Sequence, residues 1–144
     1  MDKNAIEYLT SLDMGDVLIT RVNEVSEFYT LVLGQEFESI FVSEYVDKNS
    51  ERVYENLWFF YPDLICEAKS FKSKDDFDVV PLNKFVYLRI LKTEFDGKEA
   101  TENSRMSVEF YTLSGRLEGQ LKASKQNCNE LMKILTGKIL KYIK

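Results

Sequence analysis

Apolar and polar positions alternate most clearly in the second half of the chain. Val86, Leu88 and Ile90 fall on one side of an extended segment, with Tyr87 and Arg89 on the other. Met106, Val108 and Phe110 oppose Ser107, Glu109 and Tyr111, and Leu117, Leu121 and Ala123 oppose Glu118, Gln120 and Lys122. A period of two is that of strands with one dry and one wet face. Ser114-Gly115 stands between the last two segments as a hairpin turn. The charged stretch 94–104 reads as a loop. FDVVPLNK, from Phe77, reads as a short strand whose Pro81 belongs at a strand end or sheet edge, because proline cannot donate to a ladder.

Residues Leu57 to Tyr61 break the alternation, being apolar or aromatic at every position. Tyr61-Pro62-Asp63 is a turn signal, so two strands are expected at about 53–60 and 64–70. One register groups Val53, Leu57 and Phe59; the other groups Tyr54, Trp58 and Phe60. The interior of a barrel takes only one set. The expectation is that residues 1–36 cover the second set through a stripe of Ile6, Leu9 and Leu12. Left bare, Tyr54, Trp58 and Phe60 would form a protein-binding patch.

The two ends of the chain follow the helical period. Residues 3–13 form a short amphipathic helix with Gly15 as its stop. At the C-terminus Leu131, Ile134, Leu135, Ile139 and Tyr142 make a stripe, and Asn127 with Glu130 resembles a capping box. Residues 17–33 fit either state. Leu18, Val22, Val25, Phe28 and Val32 have helical spacing, but the segment is rich in strand-forming residues. The balance favours strands from about 27 to 46, turning at Gly34-Gln35.

Composition narrows the function classes. The 144 residues suit a single domain that needs no disulfide or metal to fold. Ten Phe, eight Tyr and one Trp suit a β-rich core. The net charge of −5 argues against nucleic acid as a partner. It is unevenly spread: residues 1–69 carry 5 basic against 14 acidic side chains, and residues 70–144 carry 14 against 10. No apolar run approaches the ~18 residues of a membrane span. The acidic N-terminus lacks the basic-then-apolar pattern of a signal peptide, so a cytoplasmic protein is expected.

Candidate chemistry is sparse. Without histidine, the serine and cysteine triads and the commonest metal ligand are absent. Cys66 and Cys128 are too far apart for a zinc pattern, and free thiols are expected. Cys66 alternates with Leu64 and Ala68 as a small core residue. Cys128 opens the last helix, where a helix N-terminus would lower its pKa, and is the better redox candidate. Asp75, Asp76 and Asp78 cluster without the calcium-loop pattern. Thr136-Gly137-Lys138 is no phosphate loop, since residue 132 is Met. No cofactor, metal or catalytic residue is assigned. The basic C-terminal region, with Lys122 and Lys133 as its candidates, would attract an acidic partner or a membrane surface.

The order of elements resembles the pleckstrin-homology (PH-like) superfold over residues 37–144. ERVYENLWFFYP and DLICEAKSF are similar to that family's second and third strands, and FDVVPLNKFVYLRI to its fourth and fifth. SVEFYTLSGRLEGQLKAS resembles the sixth and seventh, and CNELMKILTGKIL stands where the capping helix belongs, with Leu131 or Met132 in place of the family's barrel-facing Trp. The resemblance implies a mainly β, α+β fold. It would be a bent antiparallel barrel or sandwich of about seven strands, capped by a C-terminal helix, with residues 1–36 as an N-terminal helical or strand extension packed on it.

The resemblance also implies a non-catalytic adaptor acting through protein–protein contacts. Phosphoinositide-binding members carry paired basic residues in the first inter-strand loop. Here Lys48 and Arg52 are crowded by Asp47, Glu51 and Glu55, with no basic residue two away from Arg52, which argues against an inositol phosphate. A barrel that binds a small ligand between acids and tyrosines, or an immunity-like protein whose acidic half neutralises a basic partner, are the alternatives.

Overall fold

A computed structural model describes residues 1–69, 77–81, 87–112 and 114–142. Phe85, Val86, Asp75 and Asp76 lie outside the described residues. The fold is α+β and mainly β. Helices α1 (Lys3–Ser11) and α2 (Gly15–Leu33) precede strands β1 (Ser39–Val46), β2 (Arg52–Phe60), β3 (Leu64–Ala68), β4 (Phe77–Pro81), β5 (Tyr87–Thr93), β6 (Arg105–Tyr111) and β7 (Leu117–Ser124). Helix α3 (Asn127–Ile134) follows, running on through a π-helical turn, Leu135–Ile139, to Tyr142.

The strands form two antiparallel sheets, β1-β2-β3-β4 and β5-β6-β7, that do not close into a barrel. Pro81 ends edge strand β4, as its missing N–H requires.

Residues 17–33 are helical throughout, which corrects the expected strands from residue 27. The 3.6-residue spacing of Leu18, Val22, Val25 and Tyr29 buries one face, and that burial overrides the strand propensity of the β-branched and aromatic residues. Gly34 does not turn a hairpin. It adopts φ +67° and caps α2, its N–H donating to Thr30 O at 2.9 Å.

Gly15 does not stop α1. It opens α2, and a Cβ there would lie 2.9 Å from Thr10 Cα, so the two helices meet at this residue only without a side chain. In α1 the buried positions are Ala5, Tyr8, Leu9 and Leu12, whereas Ile6 is exposed.

Leu57 to Tyr61 are fully buried because both faces of the first sheet are covered. On one face Phe59 meets Tyr29 of α2 and Phe37, each at 5.2 Å between ring centroids. On the other, Trp58 lies 6.0 Å from Phe110 of β6 and over Gly119 of β7. The expected assignment is therefore reversed: the N-terminal extension covers Phe59, and the second sheet covers Trp58.

On β6 and β7, Met106, Val108, Phe110, Leu121 and Ala123 point inward as expected. Leu117 does not. Phe110 pairs with Gly119 but Tyr111 with Leu117, and the residue bulged between them turns Leu117 outward. The loop 94–104 is anchored by three buried side chains, Phe95, Ala100 and Ser104. One core runs through α1, α2, both sheets and α3. Among the described residues, no helix is long and apolar enough to cross a membrane.

Candidate functional site

The edges of β1 and β7 meet through side chains. Ser43 Oγ accepts from Lys122 N at 2.9 Å, and Glu44 Oε2 accepts from Ser124 N at 2.8 Å, while Ser124 Oγ donates to Glu44 Oε1. Glu44 is fully buried and lies 3.3 Å from Arg52 Nε, a guanidinium that is itself nearly buried. A charge carried this deep requires a close partner.

The same cluster reaches both helical ends. Asn127 Nδ2 donates to Val42 O (2.9 Å) and Glu44 Oε2 (3.3 Å). Tyr8 Oη accepts from Val42 N (2.9 Å) and donates to Asn127 Oδ1 (2.8 Å). Burial pushes the Tyr8 hydroxyl well above its ordinary pKa, so it stays a neutral donor. Arg52 Nη1 lies 3.4 Å from Asp13, and Tyr54 Oη donates to Asp13 O at 2.6 Å. Burial opposes the Arg52 charge, yet Glu44 and the neighbouring groups hold its pKa above the ordinary value.

Above this seam, α1 and α3 stand apart as the walls of an open cleft of about 950 Å³. Tyr8, Asn127 and Arg52 form its floor. Asn4 and Glu7 line the α1 wall, and Asn129, Glu130 and Lys133 the α3 wall. The rim carries both signs of charge. Lys133 lies 4.0 Å from Glu130 and Lys125 lies 3.5 Å from Glu102. Burial raises the Glu130 pKa and Lys133 opposes that rise. A fixed polar floor under a rim of mixed charge suits recognition of a polar ligand.

A second, shallower cleft of about 300 Å³ lies where β2 and β3 face β7, lined by Glu55, Asn56, Glu67, Gln120 and Lys122. Glu67 is buried there, with Asn56 Nδ2 donating to it at 2.6 Å. Burial raises its pKa to about 7, with Lys69 pulling the other way.

The five residues expected to bind a partner do not converge. Trp58 and Phe60 are fully buried, which removes them from any surface patch: the second sheet occupies the face they were to offer. Tyr54 is half-buried and spends its hydroxyl on Asp13. Lys122 sits at the second cleft, 2.8 Å from Glu55 and 5.0 Å above the Tyr45 ring. Lys133 alone stands on the wall of the larger cleft.

Both cysteines are free and buried, as core residues. Burial pushes the Cys128 thiol up to about 11 and Cys66 up to about 12, so the helix start does not activate Cys128. Among the described residues, no group of three Cys, Asp or Glu side chains is placed to hold a metal.

Four seam residues were missed: Tyr8, Glu44, Arg52 and Asn127. Asn127 looks like a helix cap in the sequence, but the cap position is Gln126 and the Asn127 side chain turns inward. Arg52 looks like a loop cation, yet it opens β2 and reaches into the seam.

Neither a protein-family model nor a curated protein matches the chain. Among solved structures it is similar to the C-terminal domain of an unknown protein from Leishmania infantum. That likeness has a TM-score of 0.49 and 12% identity, covering 79% of this chain and 93% of that one.

Proposed function

We propose that the protein is a non-catalytic docking domain that binds a protein partner in the cleft between α1 and α3. The observation that carries this reading is the pairing of a rigid, buried polar floor with an open rim of alternating charge. A floor held by Tyr8, Asn127 and Arg52 is preorganised for polar groups of an incoming chain. Rim charges such as Lys133 and Glu7 would steer association and select the partner. The seven antiparallel strands followed by a C-terminal helix are in keeping with the PH-like resemblance, whose members dock proteins on strand faces, open edges and inter-strand loops, although the α1 wall of this cleft lies outside the resemblance.

A photo-crosslinking residue at Asn129 tests the reading. A discrete partner should be captured from the native cytosolic extract. Lys133→Glu with Glu7→Lys should abolish the capture at unchanged melting temperature, and added salt should weaken it. Capture indifferent to both substitutions would overturn the proposal.

Glu67 favours a second reading, a small-ligand site at the lesser cleft. A buried carboxyl that titrates near neutrality is suited to exchange a proton with a bound molecule. Fragment screening by NMR, with shifts at Asn56 and Gln120 lost in Glu67→Ala, would support it; shifts confined to the α1–α3 cleft would dismiss it.

A further inference from the structure

The charges around the lesser cleft, where β2 and β3 face β7, cancel in pairs. Lys122 lies 2.8 Å from Glu55, Lys69 lies 2.8 Å from Asp78 of β4, and Arg116 lies 3.7 Å from Glu118. Glu67 is the exception: among the described residues no cation stands within ion-pair distance of it, although it is only 6% exposed. A carboxylate carried this deep ordinarily meets a cation or several donors. Glu44, ringed by Arg52, Ser124 and Asn127, does. Glu67 has one donor. Asn56 Nδ2 reaches its Oε2 at 2.6 Å, and Oε1 accepts no hydrogen bond among the described residues. Oε1 is also not among the fully enclosed polar atoms that lack a partner, so it opens on the cleft that Glu67 lines.

The neighbouring amides leave the same kind of atom unspent. Asn56 turns its nitrogen to Glu67, and Gln120 turns its nitrogen to Glu109 Oε2 at 3.3 Å. Each keeps its carbonyl oxygen, an acceptor. Lys69 and Lys122 spend their ammonium groups on Asp78 and Glu55. The cleft therefore holds open acceptors, one of them charged, with no cation of its own to meet them.

We propose that this cleft binds a small organic cation carrying N–H donors, an alkylammonium or a guanidinium, on Glu67 Oε1. The proposal rests on the second reading above, a small-ligand site at this cleft, and names the ligand's class. A volume of about 300 Å³ suits a small molecule. An anion would set its charge against Glu67, and a quaternary ammonium would bring no proton to the open acceptors. The site shares no lining residue with the α1–α3 cleft, so the two can be tested apart. Occupancy is coupled to a proton. Burial raises the Glu67 pKa to about 7; Lys69 opposes the rise, Asp78 and Glu55 add to it, and Glu118 and Lys122 face the cleft from β7. A bound cation favours the carboxylate, so below that pH it must expel the proton that the empty site carries.

NMR titration of the full chain with n-butylammonium, methylguanidinium, tetramethylammonium, n-butanol and butyrate tests this. Above pH 7 the first two should shift the side-chain amide signals of Asn56 and Gln120, and the last three should not. Affinity for the two cations should fall by about tenfold for each pH unit below 7. Glu67→Gln keeps the shape and removes the charge. It should weaken cation binding by about tenfold or more and abolish the pH dependence, without lowering the melting temperature. Cations that bind Glu67→Gln as tightly as the parent, or bind the parent equally at every pH, overturn the proposal. If butanol or butyrate shifts these signals and neither cation does, the cation proposal falls and the small-ligand reading stands. If nothing in the panel shifts them, both fall.

Discussion

Glu44 and Glu67 are both buried glutamates, but they sit in two different interiors. Glu44 lies in the seam between β1 and β7, where Ser124, Asn127 and Arg52 converge on its carboxylate. Glu67 pairs opposite Trp58 in the aromatic layer between the sheets, and Asn56 reaches it from the neighbouring strand. The seam is directional: each atom has one geometry that satisfies it, so the groups specify one another. The layer around Trp58, Phe110 and Gly119 is held by contact and volume, which constrain shape and leave chemistry freer. The seam sets how the two sheets and both helical ends are aligned, and the layer supplies the apolar burial.

Removing the anion of the seam should give the largest effect. Glu44→Ala leaves Arg52 buried without its principal counter-charge and strands the donors of Ser124 and Asn127, so a loss of about 3–5 kcal/mol is expected. Denaturant unfolding of the variant measures it. A loss below that of an ordinary surface substitution would mean that water replaces the carboxylate and that the seam is not the rigid region.

In the layer, the close approach is between Gly119 and Trp58. A Cβ on residue 119 would fall 2.6 Å from Trp58 Cη2, so Gly119→Ala must displace the indole and should cost about 1–3 kcal/mol. Trp58→Phe shortens the ring and makes room for that methyl group. The double variant should therefore be more stable than the sum of the single losses allows, with coupling of about 0.5–3 kcal/mol. Simple additivity would show that the two residues do not share one volume.

The same contrast explains what the sequence reveals. Regions held by apolar burial on one face announce themselves through period: β6, β7 and the Leu131-Ile134-Leu135-Ile139 stripe are where alternation or helical spacing puts them, while β2 and β3 are placed by the turn between them. The turn at Tyr61-Pro62-Asp63 and the edge position of Pro81 are legible because the backbone chemistry of proline is local. The seam is not local. Tyr8 and Asn127 are 119 residues apart, and nothing in their immediate neighbours distinguishes them from a surface tyrosine and a helix cap. Glu44 is one acid among 24. Residues 27–33 mislead because strand propensity and helical period compete there, and the apolar face of Leu18, Val22, Val25 and Tyr29 decides. Leu117 misleads because a one-residue bulge reverses the side it faces.

Glu67 sharpens the comparison through pH. Its native pKa of about 7 lies above the unfolded value of 4.5, so between these values the native state holds more proton than the unfolded one. Stability should then fall as pH rises from about 4.5 to 7 and level off above, at about 1.4 kcal/mol for each unit of pKa difference. Glu67→Gln mimics the protonated carboxyl and removes this dependence. It should melt higher than the parent at pH above 7 and match it below pH 4.5. Equal melting temperatures at both ends would show that Glu67 is as well satisfied as Glu44.

The smallest expected effect lies outside both interiors and has the opposite sign. Gly137 sits in the π-helical turn that follows α3, on the rim of the cleft, and a Cβ there would meet nothing within 4 Å. Glycine in a helix costs roughly 1 kcal/mol relative to alanine, chiefly because the unfolded chain has more freedom to lose. If the buried residues on either side, Leu131, Ile134, Leu135 and Ile139, fix this segment, Gly137→Ala should stabilise the protein by up to about 1 kcal/mol. The melting temperature should rise, and Glu44→Ala should not alter the gain, since alanine at 137 touches no group of the seam. If the turn instead depends on glycine, the gain will vanish or reverse. The wall of the cleft would then be set by backbone geometry at Gly137 rather than by the Asn127 anchor, and the seam would lose its hold on the C-terminal end.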